Sequence, residues 1–499
     1  MPNRRQFAHC SATAAGAAAG LAWLPKLGAA EVEVTPSHVQ FAPDIEPLVQ
    51  MLENTTRGQA VDRVLTEIQS GTSYQELLAA LFLAGIRNVQ PRPSVGFKFH
   101  SVLVVHSAHQ ASLAATDAHR WTPLLWSVDY FKRAQQSDVK EGDWTMAGPP
   151  REKLPTAEKS LSVLDKAMDA WDVEAADAAA TIASRCATAG QILNLLARHA
   201  ARDFRSIGHK SIYLANAFRT LEVIGWHHAE PVVRSLCYAI LNHNGDPNPA
   251  SSDLDVDRVG RSNWGRVESI DDNWLSSTRK PAESETVVKE LRAATPEEAA
   301  DFVVELVASG CHADSIYDGI MLAAAELVGQ QPSIVPLHAT TTSNAIRFLY
   351  RSVSDQRIRK WLLLQNAAFI PHFRDAAKAR GELRDFDLLN LPPQDGEEQD
   401  VDNLFQLVGS EPLQAASSVV SMAQNPSDAR KIIRRAREFV FLKGNDAHDY
   451  KFSSAALEDY DLIHPQWRPR FLAGCSHLLH GENEKTTQLA RRVLAMADK

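Results

Sequence analysis

The feature that most limits what this chain can fold into is helical spacing of its apolar residues over nearly the whole length. TSYQELLAALFLAGI (72–86) offers Thr72 or Ser73 as a cap, then a continuous apolar face. TPEEAADFVVELVASG (295–310) has Thr295 as cap, Pro296 at the first helical position and Glu298 three residues after the cap, and it stops at Gly310. Segments 313–329, 344–353 and 428–442 continue the pattern. No run of alternating Val, Ile and Thr is bounded by hairpin turns; only EVEVTPSHVQF suggests a short extended arm. No fixed-period repeat is present, which disfavours a solenoid. The expected fold is therefore all-α: a large multi-helix bundle with long irregular loops.

Three segments rich in turn formers or acidic residues interrupt the helices, at 138–158, 243–287 and 391–402. The last of them separates a main helical domain (31–390) from a C-terminal helical segment (403–499) expected to pack on the same bundle. The 243–287 segment reads as one long loop, a length usually tied to function or disorder.

Composition excludes several classes. The 499 residues are 44% hydrophobic and carry a net charge of −9, with no basic stripe interleaved with aromatics, so nothing favours nucleic acid. GxGxxG, P-loop, HExxH and GxSxG motifs are all absent, which removes the usual warrants for NAD, ATP, zincin and serine-hydrolase chemistry. DLDVDRVG (253–260) imitates the start of a calcium loop, but Arg258 stands where glycine is needed and Trp264 where glutamate is needed. It reads as an acidic, solvated loop. After the first thirty residues the cysteines are Cys186, Cys237, Cys311 and Cys475, with no CxxC. They suit buried thiols or one long-range disulfide.

The N-terminus, MPNRRQF followed by SATAAGAAAGLAWLP, resembles a twin-arginine export signal. It has the pair Arg4–Arg5, Phe7, a mild apolar stretch, Lys26 and small residues at Gly28 to Ala30. The expectation is cleavage after Ala30, a periplasmic or secreted product, and no integral membrane segment once the signal is gone. Such signals often carry cargo folded around a cofactor.

The histidines hold most of the chemistry. FHSVLVVHSAHQASLAATDAHRW (99–121) contains His100, His106, His109 and His119, and Gly96 and Pro123 frame it as one long helix. On that wheel His106, Gln110, Leu113 and Asp117 share a side, His109 lies about 60° away and His100 about 120° off on the other flank. His106 is then expected to face the bundle interior, with His100 as a flank contact. His119 and Arg120 suit the helix end, where a cation complements the dipole. A second helix carries His209, Tyr213, Asn216 and Thr220 on one face with Arg205 beside it. A third carries His338 and Thr342. A fourth group, His448, Tyr450 and Lys451, is expected just before a helix ending near Pro465.

A lone helical histidine is more often a satisfied core residue than a ligand, but several such helices together favour a site between them. The candidate metal ligands are His100, His106, His109, His209 and His338. The candidate catalytic groups are Tyr213, Arg205 and Asn216, and His448 with Lys451 are candidates for binding a cofactor.

FHSVLVVHSAHQAS, GHKSIYLANAFRTLE and PLHATTTSNAIRFLYR resemble the histidine-bearing helices of the questin oxidase-like proteins. They also resemble the all-helical region in front of the Rieske domain of certain bacterial Rieske proteins, and YDGIMLAAAEL (317–327) is similar to another part of that region. The likeness consists of short motifs spread over 70–480. The chain has no Rieske signature of its own; its one Cys-x-His, Cys475 to His477, has no Cys-x-x-His after it. The resemblance implies an O₂-dependent oxidoreductase using iron, with His106 (or His100), His209 and His338 at stake. Iron or haem is the cofactor so implied, with a small-molecule substrate and an electron-transfer partner. Two departures stand against carrying over a substrate: the export signal is not a feature of the fungal enzymes of this family, and 243–287 has no counterpart. Two alternatives stay open. One is a non-catalytic periplasmic helical binding or scaffold protein. The other is a metal-dependent hydrolase using Asp117 or Asp318 with histidines.

Overall fold

The computed structural model describes residues 39–91, 97–241, 247–394 and 400–497. The export segment, most of the suggested extended arm and part of the 391–402 linker lie outside the described residues. Among the described residues every regular element is a helix, so the protein is an all-α multi-helix bundle.

The helices that build the centre are α1 (Tyr74–Asn88), α2 (His100–Leu103), α3 (Val105–Ala114), α4 (Thr122–Glu141), α5 (His209–Ile224), α6 (Ala313–Gln330), α7 (Ile334–Ser352), α8 (Gln356–Lys378), α9 (Pro426–Lys443) and α10 (Ala447–Leu462). Their starts follow from capping chemistry. Ser73 caps α1 in a reciprocal box with Glu76, and Thr295 does the same with Glu298 for the helix Pro296–Ala308. α1, α6 and α7 are buried on nearly all sides, as expected of helices whose apolar residues do not confine themselves to one stripe. α7 is the hub: α5, α6, α8 and α10 all pack against it. One hydrophobic core takes in residues from Val39 to Ala377 together with Val493, and a second joins residues 386–479 to Met321 and Leu322 of α6. Among the described residues no helix is long and apolar enough to cross a membrane.

Several expectations need correction. Residues 96–123 do not form one helix. α2 ends at Leu103, Val104 separates it from α3, and Ala115 is extended (φ −74°, ψ 155°). Asp117–His119 make a short 3₁₀ turn, and Pro123 lies in the first turn of α4. The proline therefore opens a helix rather than marking the end of one. The 243–287 segment is not a single loop: it contains the helix Asp255–Arg266, and Pro281 opens another. The calcium-like string falls largely in the first of these, where Asp257 pairs with Arg205. His448, Tyr450 and Lys451 lie within α10, not before it, because Asp446 caps that helix one residue ahead of Ala447. The four cysteines among the described residues are free; Cys186 is exposed and the other three are buried.

Candidate metal centre

Three long helices begin at one place in the interior. His209 is the first residue of α5, His338 lies in the first turns of α7, and His448 is the second residue of α10. His100 opens the short α2 beside them. Imidazole nitrogens from these four residues all lie within 4.8 Å of one another, and the group could hold a metal ion. His100, His209 and His338 are buried, and the His448 side chain is 23% exposed. The rings meet with centroids 4.5–5.2 Å apart.

The outer nitrogens are committed to local acceptors. His209 Nδ1 donates to the Ser206 carbonyl at 2.7 Å, and His338 Nδ1 donates to the Ile334 carbonyl at 2.6 Å. His448 Nδ1 faces the Asp446 carboxylate. A ring that spends its one proton on Nδ1 presents a bare lone pair at Nε2, which is how outer partners orient histidine ligands. His209 Nε2 lies 3.1 Å from His338 Nε2 and 3.2 Å from His100 Nε2. Between His209 and His338 neither inward nitrogen then has a proton to share, so the contact is two opposed lone pairs, repulsive unless a cation sits against both.

The spacing passes a simple fit test. Two imidazole nitrogens each about 2.1 Å from one ion stand about 3 Å apart when they meet it near a right angle, and about 4.2 Å apart on opposite sides. The observed 3.1 and 3.2 Å contacts match the first value, and the 4.8 Å limit lies a little outside the second.

The backbone that carries His209 is strained. Ser206 (φ 53°), Ile207 (φ 46°) and Gly208 (φ 81°) are all left-handed, which is costly for a β-branched residue such as Ile207. This turn aims the Ser206 carbonyl at His209 and the Ile207 carbonyl at the Thr342 hydroxyl of α7, 3.1 Å away. The Thr342 hydroxyl bond to the Ile207 carbonyl ties this turn to α7.

Electrostatics disfavour charge on three of the four imidazoles. Burial pushes the His100, His209 and His338 imidazoles well below their ordinary values, and the Lys451 charge adds to the effect on each. Lys451 follows His448 by one helical turn. Its ammonium is buried without a hydrogen-bond partner, and burial lowers it to about 7 against the opposing pull of Asp446. Hydrogen bonding to His448 lowers the Asp446 carboxyl to about 2.

The other sequence candidates occupy different surroundings. His106 is buried outside the four-histidine group with Nδ1 unpartnered, and His109 meets the Tyr74 hydroxyl at 3.2 Å. Tyr213 donates to the Ser235 hydroxyl at 2.8 Å, and Asn216 donates to the Leu103 carbonyl at 3.0 Å. Arg205 pairs with Asp257 and donates to the Pro247 carbonyl. The His119 ring packs on Phe441, and Arg120 pairs with Asp117 at the surface. Asp318 is buried against Arg279 and Arg347. No carboxylate belongs to the four-residue group. The orienting acceptors at Ser206 and Ile334 are main-chain carbonyls and leave no mark in side-chain pattern. Asp446, two residues before His448, is the one orienting group a sequence signal could have revealed.

No protein-family model matches the chain, and no curated protein or solved structure was matched by it.

Proposed function

We propose that the protein is an exported, O₂-dependent oxidoreductase whose reaction depends on an iron ion held by His100, His209, His338 and His448. The observation that carries this reading is the 3.1 Å approach of two inward nitrogens, on His209 and His338, whose partner nitrogens have already spent their protons. Four neutral imidazoles suit iron, copper or zinc, and they favour the lower oxidation state of a redox ion because they add no negative charge. The resemblance to the questin oxidase-like helices and the twin-arginine-like N-terminus support iron and export respectively. A bare ion fits better than haem, whose ring already fills four positions around its iron.

A redox ion held by these four residues would supply electron exchange. The chain's own residues do the rest. Ser206, Ile334 and Asp446 fix the imidazoles, and burial keeps bulk water from His100, His209 and His338. In this reading a small-molecule substrate enters on the side of the partly exposed His448. Set against the hydrolase alternative, Asp117 and Asp318 are both engaged by arginines away from the cluster.

Metal analysis and an absorption spectrum of protein purified after native export test the proposal. One iron per chain, lost in a His209→Ala/His338→Ala double variant, is the expected result. A metal-free, colourless protein overturns it.

A further inference from the structure

Every fixed charge that the fold brings to the four histidines, apart from Asp446 at the rim, has the wrong sign for a lone cation. Lys451 is 2% exposed, and its Nζ has no hydrogen-bond partner. It lies three residues after His448 in α10, and side chains at that spacing share a helix face. Its charge acts on His100, His209 and His338 alike. His209, His338 and His448 also lie in the first one or two turns of helices of 16 to 19 residues, near their positive N-terminal ends. Asp446 is spent on His448, and its side chain is 52% exposed. A divalent ion placed here adds to an excess of positive charge in a site that excludes water. Something negative that binds with the ion relieves this excess and keeps the buried Lys451 protonated.

We propose that the centre takes an anionic oxygen ligand, a carboxylate or phenolate, that bridges the bound ion and the Lys451 ammonium. This rests on the metal reading above and assigns to it the chemical class of its ligand. The ligand's oxygen occupies a coordination position that the four imidazoles leave open. Lys451 Nζ donates to that oxygen or to its carboxylate partner, which gives the amine the hydrogen bond it lacks within the chain. The pairing accounts for two features at once: a buried lysine without a partner, and a ligand set without a carboxylate. It also selects for acids over neutral molecules of the same shape.

The test uses the full chain loaded with Co(II) as a visible reporter and acetate as the probe. Cobalt content is measured first, then the change in the cobalt spectrum on acetate titration, in the wild type and in Lys451→Met. Methionine keeps the length and apolar stem of the side chain. Lys451→Gln serves as a second neutral replacement should the first not fold. The expected result is full cobalt loading in both proteins with acetate affinity about tenfold to hundredfold weaker in the variant, the range for loss of a charge-assisted hydrogen bond. Lys451→Arg is expected to recover part of it. Unchanged acetate affinity in both neutral variants, or no acetate response in the cobalt-loaded wild type, overturns the anion site while the metal reading stands. Failure of the wild type to take up cobalt overturns both.

Discussion

Replacing His106 with methionine separates a core histidine from a ligand. His106 is 7% exposed, its Nδ1 has no partner, and it lies outside the four-histidine group. An unpaired buried polar atom costs about 1–3 kcal/mol, and methionine fills a similar space without one. At neutral pH the variant should therefore be as stable as the wild type or more so. Acid should widen the gap. Burial, then the Arg219 and His109 charges, hold His106 well below the ordinary imidazole value. The unfolded chain takes up a proton near pH 6.5 while the folded chain does not, so unfolding is favoured as the pH falls. For a depressed group of this kind the stabilisation is complete above the unfolded value and is lost as the pH drops below it. The loss is about 1.4 kcal/mol at about pH 5.5, and His106→Met escapes it. His199 and His228, each lowered to about 4, titrate in both proteins and cancel from the comparison. Urea unfolding followed by circular dichroism at about pH 7.5 and about pH 5.5 gives the two differences, and metal analysis gives the ion content. Equal pH dependence in the two proteins would refute the burial argument. Loss of the ion in His106→Met would return His106 to the metal centre.

Three further outcomes follow from the site. His209→Ala should abolish ion-dependent stabilisation; in the wild type this is about 2.7 kcal/mol at a hundredfold excess of ion over its dissociation constant, read as unfolding free energy with and without chelator. Asp446→Asn keeps the helix cap but weakens the hold on His448, and should lower ion affinity about tenfold to hundredfold in a competition titration without unfolding the protein. Gly208→Ala should destabilise the fold by about 2 kcal/mol by urea unfolding, because a β-carbon at φ 81° would press into the Thr342 side chain.

The fold was legible because helix signals are local. Ser73 with Glu76 and Thr295 with Glu298 are caps that can be read within four residues, and the structure forms both boxes. The site was legible in its ingredients and less so in its assembly. His209 and His338 were expected to complete one centre, and their inward nitrogens do meet. The third partner was expected to be His106, on the assumption of a single helix from Gly96 to Pro123. The chain instead departs from regular helix at Val104, which stays right-handed, and leaves it at the extended Ala115, so one ideal helical wheel does not describe it, and His100 at the start of α2 takes the inward position. A wheel gives angles within one unbroken helix; it cannot give the axis of the next one. His448 was grouped apart from the metal candidates because its helix was expected to start later, and the Asp446 cap moved that start forward.

The same cap links fold and chemistry at this position. Asp446 accepts from the His448 backbone N–H, which starts α10, and from His448 Nδ1, which leaves Nε2 bare and turned inward. Starting the helix there also brings Lys451 round to the histidine face one turn later. A single carboxylate thus sets the helix register, the ligand tautomer and the position of the buried ammonium. Asp446→Ala should accordingly disturb all three together, whereas Asp446→Asn, which can still cap the helix, should disturb mainly the second. A centre built from side chains placed by their own helix starts is largely ordered before any ion binds, because His209, His338 and His448 are oriented by main-chain or capping contacts that the fold makes regardless. The opposed nitrogens of His209 and His338 are the residual cost of that rigidity, and relief of their repulsion is part of what an ion would gain on entering.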